Sequence, residues 1–562
     1  MLEGQLHEKY LLRYSVLIQD IPIRGSLQTA VISFFDEDNK KVCILKYGVV
    51  RPEEIYALID KGEKINLRYA YVKDFSLSDY RTSKGLDDHV IVKLKDFTAK
   101  KTFFDCEICT DFSYGEFEGA KSLFDSSVFG NGNINFSNCS FRDGEASFKR
   151  VKFGSGSTTF KSVKFGTGLV SFNNTNFGTG NLNFVDVDFG NGDVDFKNTW
   201  FGDGMIDFKF SRFAKGDISF EHASFGRGKK DFKNVEFGGG RIDFKRINFN
   251  DGDVSFDGVE FGDGKVSFRN SEFGKGHKSF EQADFAQGEA MFDQTDFGSG
   301  SVSFKNCRVD HISFRGCPLN CYFDLRLAQC QLADLSNTII RDIVDVIPEN
   351  EKVVIQALKL TDVRILGRIF IDWRSNQVFG LIYNQKDTSL FQKGEQFRIL
   401  KENFRNNGQY EDEDAAYLEF KRCEAKANLQ ASLAAGKKNA FIAYPVYYFQ
   451  KYVFDYIGRY ATAPTRVLAN VFVTVILFSL IYYGATEWFP SFGMVATTLP
   501  NELSHVHAFS NDIYYSFITF FTIGYGDYFP DGFLKAVASF EGFTGVFLMS
   551  YFTVAFVRKI LR

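Results

Sequence analysis

The chain has 562 residues, a net charge of −4 and a pI near 6.1. This length is too great for one hydrophobic core, so we expect several domains, and the slight acidity argues against a nucleic-acid partner. The nine cysteines follow an N-terminus without an apolar leader, which is typical of reduced cytosolic thiols. We interpret Cys106 and Cys109 as buried thiols rather than metal ligands.

The first part of the chain, residues 1–104, mixes strand-like and helical patterns. Strand-like runs begin at Tyr14 and Ala30, and one helical stretch covers residues 52–61. We predict that this part is an α+β cap for the repetitive region that follows, because the end coils of such regions otherwise expose sheet edges.

Residues 105–346 are dominated by a phenylalanine repeat. Phe recurs at every twelfth position from Phe117 to Phe297 and again from Phe124 to Phe304, which accounts for 32 of the 66 phenylalanines. The unit reads V-x-F-x-x-[VT]-x-F-G-x-G-x, and each V-x-F step suits a short strand with alternate residues pointing inward. Identical residues in register predict a stacked β-solenoid in which each Phe lies on the Phe of the next coil.

The glycines of the repeat predict its corners. The second glycine of G-x-G is present in fifteen successive units, from Gly132 to Gly300, and we expect it where the backbone needs a positive φ. We expect about 24 residues per coil, hence about 8 coils and roughly 40 Å of length at ~4.8 Å per coil. A flattened coil of about 12 residues, which doubles the length, is the alternative.

The end of this region resembles a known repeat family. Ala333-Asp-Leu335-Ser-Asn and the following Thr338-Ile-Ile340-Arg-Asp resemble pentapeptide repeats. The twelve-residue unit resembles two such pentapeptides with two residues added at one corner. The resemblance implies a right-handed quadrilateral β-helix, and we expect residues 347–395 to cap its far end.

Helical periodicity then marks residues 396–439 as a helical linker, which Asn407-Gly408 divides into a helix pair. The run that begins at Gln396 resembles the helical segment that joins pentapeptide solenoids to pores in some bacterial channels. Two interpretations remain open: a packed helical hairpin, or a lever that passes solenoid motion to the pore.

Residues 440–464 are rich in tyrosine beside Lys451 and Arg459. Aromatic and basic residues just before an apolar span are typical of the membrane–water interface, so we predict an interfacial helix on the cytoplasmic side.

The last segment, residues 465–562, contains two apolar stretches, 467–486 and 536–557. Each is long enough to cross the ~30 Å hydrocarbon layer as a helix. The loop 485–534 between them holds no Lys or Arg, whereas basic residues flank the outer ends of both spans, at Lys451, Arg459, Arg466, Arg558, Lys559 and Arg562. The positive-inside rule then predicts that the N-terminal domain and the C-terminus are both cytoplasmic.

The loop between the spans carries the candidate functional residues. A short helix that begins with an Asn/Asp cap at Asn511 is followed by Thr522-Ile523-Gly524-Tyr525-Gly526-Asp527. Potassium is selected when backbone carbonyls of four chains around one axis replace the water shell of the ion. The glycines permit the unusual backbone that turns successive carbonyls towards that axis. These residues therefore predict a potassium selectivity filter.

This segment resembles the two-transmembrane-helix potassium channels, a bacterial-type pore domain. The resemblance implies that Tyr514 and Tyr515 are an aromatic pair bracing the filter, that Thr519 is a pore-helix threonine supporting it, and that Gly545 is the gating hinge of the inner helix. Glu541 is an intramembrane carboxylate and hence a functional candidate, or else a structural hydrogen-bond partner of the pore helix.

Two residues depart from the family pattern. Phe521 precedes the filter where Thr is usual, and Ile518 stands where some members place a buried glutamate. The resemblance then implies altered cavity-side blocking at the first position, and no inactivation that depends on a carboxylate at the second.

These patterns predict a potassium-selective channel subunit that acts as a homotetramer in the plasma (inner) membrane, and neither an enzyme nor a metalloprotein. We expect no cofactor, and potassium ions in the filter. The partners are the lipid bilayer and an unknown cytoplasmic ligand or partner on the solenoid, which has a regulatory or anchoring role. The alternative is a membrane-anchored solenoid scaffold whose pore is only a sensor output or weakly selective.

Overall fold

The computed structural model describes residues 13–36, 38–349, 354–436, 440–498 and 509–561. The chain divides into two compact units, Met1–Lys386 and Asp387–Arg562. The first unit is a β-solenoid with short helices at either end, and the second is helical.

The strands of the first unit are short and number β1 to β38 among the described residues. The first twelve are β1 Tyr14–Gln19, β2 Thr29–Phe35, β3 Lys41–Val50, β4 Ala70–Lys73, β5 Val92–Lys95, β6 Phe103–Asp105, β7 Cys109–Asp111, β8 Gly115–Glu118, β9 Lys121–Leu123, β10 Val128–Phe129, β11 Asn133–Asn135 and β12 Ser140–Phe141. The next fourteen are β13 Glu145–Ser147, β14 Thr158–Thr159, β15 Lys164–Phe165, β16 Val170–Ser171, β17 Leu182–Asn183, β18 Val194–Asp195, β19 Ile206–Asp207, β20 Arg212–Phe213, β21 Ile218–Ser219, β22 Lys230–Asp231, β23 Glu236–Phe237, β24 Ile242–Asp243, β25 Val254–Ser255 and β26 Val266–Ser267. The last twelve are β27 Lys275–Ser279, β28 Glu289–Met291, β29 Ser299–Ser303, β30 Arg308–Ser313, β31 Pro318–Leu319, β32 Tyr322–Asp324, β33 Gln329–Asp334, β34 Ile339–Ile340, β35 Ile343–Asp345, β36 Ile355–Lys359, β37 Arg364–Ile365 and β38 Arg368–Phe370.

The pairing of these strands confirms a coil of 24 residues. Leu182 pairs in parallel with Ile206, which pairs with Lys230. One face of the solenoid is a sheet of 12 strands and another a sheet of 11, and two further faces are closed by shorter sheets and single bridges. The expected number of about 8 coils is too low, because coils that lack the complete phenylalanine repeat pair in the same ladders on both sides of it.

The phenylalanines form the expected stacked core. Phe136 lies on Phe160 of the next coil with ring centroids 4.9 Å apart and planes inclined by 2°. Phe160 also meets Phe148, from the other ladder, edge to face at 5.6 Å and 89°. Both arrangements suit the quadrupole of an aromatic ring, so the twelve-residue spacing builds a continuous aromatic interior.

The positive φ predicted for the second glycine of G-x-G is present in some units and absent in others. Gly156 and Gly180 have no positive φ; a Cβ on Gly180 would instead lie 2.1 Å from the carbonyl oxygen of Gly156 in the preceding coil. The tight corner, which follows the first V-x-F step of each unit, is left-handed at residues such as Asn174 (φ 56°) and Asn198 (φ 54°), and the wide corner at F-G-x-G is left-handed at Gly178 (φ 70°) and Gly202 (φ 78°). In the wide corner, close contact between coils requires glycine at Gly156 and Gly180, whereas Gly252, Gly276 and Gly300 at the same repeat position have the predicted positive φ, 106°, 132° and 110°.

The first residues of the unit build on this ladder. β1 and β2 pair antiparallel with each other and β2 with β3, and β3 then pairs in parallel with β4, whose sheet continues to β6 and β10. The predicted helix is confirmed as α1, Pro52–Lys61, and α2 spans Leu77–Ser83. Strand pairing crosses both predicted solenoid boundaries, at residues 104 and 346, and α3, Val378–Tyr383, follows the last strand.

The second unit begins with the predicted helix pair. α4, Leu390–Asn406, starts with Ser389 in a capping box, and α5, Tyr410–Ala434, follows the break at Asn407-Gly408. α6, Ala440–Phe449, continues into a π-helical segment, Gln450–Tyr456. The remaining elements are α7 Pro464–Trp488, a 3-10 turn Pro490–Phe492, β39 Val495–Thr497, α8 Phe509–Phe520, β40 Tyr528–Pro530 and α9 Leu534–Ile560.

Candidate functional site: the loop between two apolar helices

α7 and α9 are long and apolar enough to cross a membrane, and they contain the predicted spans 467–486 and 536–557. Between them α8 forms the predicted short helix. It begins at or before Phe509, so Asn511 lies inside the helix and the predicted cap at Asn511 was wrong. The segment Thr522–Asp527 follows the end of α8 directly.

The backbone of this segment alternates in conformation. Thr522, Gly524 and Gly526 have φ values of 55°, 58° and 82°, whereas Ile523 and Tyr525 between them have negative φ. A regular strand has negative φ throughout and points successive carbonyls to opposite sides, and a positive φ at every second residue departs from that pattern in the way needed to bring successive carbonyls to one side. Glycine supplies two of the three left-handed positions without strain.

The inner end of the segment is fixed to α8. The amide nitrogens of Ile523 and Gly524 both donate to the carbonyl oxygen of Ile518, at 2.8 and 3.3 Å, and that of Thr522 donates to Thr519 at 3.1 Å. Ile518 is itself 3% exposed. The segment therefore starts from a buried turn of the preceding helix.

The outer end is fixed to the antiparallel strand pair β39–β40. The amide nitrogen of Thr498 donates to the carbonyl oxygen of Asp527 at 2.9 Å, and the Thr497 hydroxyl donates to the same oxygen at 3.0 Å. The rings of Tyr514 and Tyr528 meet edge to face at 5.8 Å, and the Tyr514 hydroxyl interacts with the Asp527 carboxylate. Tyr514 thus braces the end of the segment within one chain.

Tyr515 lies on the other side of α8, away from the segment. It is 4% exposed and packs edge to face on Tyr482 of α7, with ring centroids 5.0 Å apart. Its hydroxyl interacts with that of Thr519. The adjacent tyrosines therefore have different contacts: Tyr514 touches the outer end of the segment, and Tyr515 packs α8 against α7.

Glu541 joins three helices. It is fully buried in α9 and accepts a hydrogen bond of 2.6 Å from the Tyr482 hydroxyl of α7 and a second from the Ser516 hydroxyl of α8. The Ser516 hydroxyl also lies 2.9 Å from the Val475 carbonyl oxygen. A buried polar group with several partners holds the surrounding helices in one arrangement.

Gly545 lies where α9 crosses the end of α8. A Cβ on Gly545 would be 2.0 Å from the carbonyl oxygen of Phe520, whereas one on Gly542 would be 3.8 Å from its nearest neighbour. α9 is a single helix from Leu534 to Ile560. Gly545 therefore has a packing reason that the spacing argument did not include.

The sequence interpretation missed several residues of this site. Tyr482 and Ser516 are the partners of Glu541, and Thr497 and Thr498 hold the outer end of the segment Thr522–Asp527. The available signal was a polar residue on the buried side of an otherwise apolar helix, which Ser516 and Tyr482 both provide. The contact of Thr497 and Thr498 with Asp527 had no such signal, because it joins residues far apart in the chain.

Comparison with known proteins concerns this C-terminal part. Residues 470–562 match a protein-family model described as Ion channel. Residues 470–562 are an ion-channel domain. Searches of curated proteins and of solved structures gave no significant match to the chain.

The ion-channel domain places the chain in a membrane and gives it the two-helix pore architecture. The described parts of the chain hold no group of three or more His, Cys, Asp or Glu residues arranged to bind a metal ion.

Proposed function

We propose that this chain is one subunit of a tetrameric potassium-selective channel with Thr522–Asp527 as its filter. The observation that carries the proposal is the alternation of φ at Thr522, Gly524 and Gly526. Carbonyls aligned on one side of an extended segment are the ligands that replace the hydration shell of K⁺. The Thr522 hydroxyl adds a further oxygen at the inner mouth.

Exposed apolar side chains support assembly around the filter. Tyr525 is 72% exposed and Ile523 47% exposed in the single chain, although the ends of their segment are anchored by hydrogen bonds. Four copies around one axis bury these side chains and bring four sets of carbonyls together. A homotetramer thus explains both the backbone geometry and the exposed flanks.

The residues around the filter have supporting roles in this proposal. Tyr514 and Glu541 hold the filter and the pore helix α8 in place. Gly545 is both the close contact between α8 and α9 and the hinge at which the inner helix α9 bends when the pore opens. Tyr515 and Thr519 stabilise α8 from its outer side.

The segment before α7 supports a cytoplasmic interface. Phe441, Phe449, Tyr452 and Tyr456 are each more than half exposed, as expected of side chains that enter the headgroup region of a bilayer. Together with the basic residues near both span ends, this favours a cytoplasmic location for the solenoid and the C-terminus in a plasma (inner) membrane. The solenoid then regulates or anchors the channel through a cytoplasmic ligand or partner.

Potassium flux from liposomes that contain the purified full chain tests this proposal. We expect wild-type protein to release K⁺ and the Gly524→Asp variant to release none, because a side chain at φ 58° disturbs the carbonyl alignment. Folding of the variant is checked by its circular dichroism and its oligomer size. Equal flux from both proteins contradicts the proposal.

A further inference from the structure

The cytoplasmic end of α9 is fastened to the helical hairpin by Asp414. The Asp414 side chain on α5 is only 11% exposed, and its two oxygens lie 3.2 Å from Nη2 of Arg558 and 2.9 Å from Nζ of Lys559. One nearly buried carboxylate therefore binds two successive cations at the end of the second apolar helix.

Arg558 has two further contacts at this point. Its guanidinium lies 4.1 Å from the centre of the Tyr417 ring, one turn after Asp414 on α5, and Nη1 is 3.5 Å from the carbonyl oxygen of Tyr460. A guanidinium that pairs with a carboxylate and also stacks on an aromatic ring has a fixed position and orientation. The end of α9 thus has a defined position on α5, set by Asp414 and Tyr417.

The same helix also holds the segment that leads into α7. Nε and Nη2 of Arg422 on α5 donate to the two oxygens of Asp455, both at 2.8 Å, and Nη1 bonds to Glu419 at 2.8 Å. A two-bond guanidinium–carboxylate pair fixes orientation better than a single contact. α5 therefore binds both the segment that precedes α7 and the C-terminal end of α9.

The segment between Asp455 and the start of α7 has a strained backbone. Arg459, Tyr460 and Ala461 are three successive non-glycine residues with φ of 47°, 52° and 63°. Such conformations persist only where surrounding contacts hold them, and they concentrate at segments that move. The Tyr551 hydroxyl of α9 provides such contacts, since it bonds the carbonyl oxygen of Phe454 and the amide of Ala461, each at 2.9 Å.

We propose that Asp414 is a positioning residue of the gate: its ion pairs with Arg558 and Lys559 hold the end of α9 in the closed position. The inference rests on the proposed channel function. In this structure α9 is one uninterrupted helix that contacts α8 at Gly545 while its end is bound to α5. Bending at Gly545 moves the end of α9 away from Asp414, so the ion pairs oppose opening.

Single-channel recording of the full chain in planar bilayers with K⁺ tests whether the Asp414 ion pairs oppose opening. We expect Asp414→Asn to raise the open probability by about fivefold or more, since a factor of 5 corresponds to about 1 kcal/mol. The unitary conductance stays at the wild-type value because the filter is untouched, and Asp414→Glu restores a low open probability. Glu411→Gln removes an exposed charge from the first turn of the same helix and should change neither quantity.

A second variant covers the case in which Asp414→Asn fails to fold. Lys559 is 40% exposed, so Lys559→Gln removes one ion pair from the edge of the cluster and should raise the open probability in the same direction. If the wild-type protein passes K⁺ but these variants have an unchanged or lowered open probability, the role of the Asp414 ion pairs is contradicted and the channel proposal is not. If the wild-type protein passes no K⁺, both the channel proposal and the proposed role of Asp414 are contradicted.

Discussion

The Tyr482 hydroxyl donates a hydrogen bond of 2.6 Å to the carboxylate of Glu541, 59 residues further along the chain, and both side chains are fully buried. With the Ser516 hydroxyl bound to the same carboxylate, this contact ties the two apolar helices to α8, the helix that precedes the proposed filter. The two interpretations of Glu541 therefore coincide: the hydrogen bond to α8 is structural, and it supports the proposed filter.

Replacing Glu541 separates its hydrogen bonds from its charge. Glu541→Ala leaves the buried Tyr482 hydroxyl without its acceptor, leaves the Ser516 hydroxyl only the Val475 carbonyl oxygen, and opens a cavity, so we expect a loss of about 2–5 kcal/mol in stability and a strong loss of K⁺ current. Glu541→Gln keeps an acceptor and should retain most of both. The exposed Glu487 on α7 provides the control Glu487→Gln. Thermal unfolding in detergent and bilayer recording measure the effects, and a Glu541→Ala protein with wild-type stability contradicts this role.

Gly545→Ala tests the contact between α9 and α8. Its Cβ would lie 2.0 Å from the Phe520 carbonyl oxygen, so the helices must separate. We expect a loss of about 1–3 kcal/mol, typical of overpacking, and an altered K⁺ current. Gly542→Ala, one turn away with 3.8 Å of space, is the matched control. If both alanine variants behave alike in thermal unfolding, the close contact does not explain Gly545.

The wide corners of the solenoid offer a similar pair. A Cβ on Gly180 would be 2.1 Å from a carbonyl oxygen of the preceding coil, whereas one on Gly239 would meet nothing within 4 Å. Gly180→Ala should therefore cost about 1–3 kcal/mol, and Gly239→Ala should be neutral or slightly stabilising. Denaturant unfolding followed by the β-sheet circular dichroism measures both. Equal stability would mean that the coils can separate at no cost.

Lys230 predicts a pH dependence of solenoid stability. It occupies the inward position that Ile206 and Val254 fill in neighbouring coils, and its Nζ lies 2.5 Å from the carbonyl oxygen of Asp251. Burial lowers the pKa of Lys230 from 10.5 to about 8. Because the folded state then binds the proton less tightly than the unfolded chain, the penalty is complete below about pH 8 and disappears as the pH rises towards 10.5.

We therefore expect Lys230→Met to be more stable than the wild type at pH 7, with the difference shrinking between pH 8 and pH 10.5. Lys164→Met replaces an exposed lysine of the same solenoid and is the control. Denaturant unfolding at a series of pH values gives the difference directly. A difference that stays constant across this range contradicts a charged, buried Lys230.

Local regularity decided how much the sequence could predict. The Phe ladders gave the coil and its core, because stacking repeats the same contact every 24 residues, as between Phe136 and Phe160. The role of Gly180 was misjudged because a close approach between coils depends on backbone distances that no single repeat reveals. The contacts of Glu541 and Asp414 join residues 25 to 145 positions apart, and spacing along one helix cannot indicate them.

The central claim is that the filter selects potassium, and a reversal potential tests it most directly. The wild-type channel is recorded in a planar bilayer with K⁺ on one side and an equal concentration of Na⁺ on the other. We predict a reversal potential displaced far towards the K⁺ equilibrium potential, because the aligned carbonyls from Thr522 to Gly526 compensate the dehydration of K⁺ better than that of Na⁺. A reversal potential near zero would contradict the account.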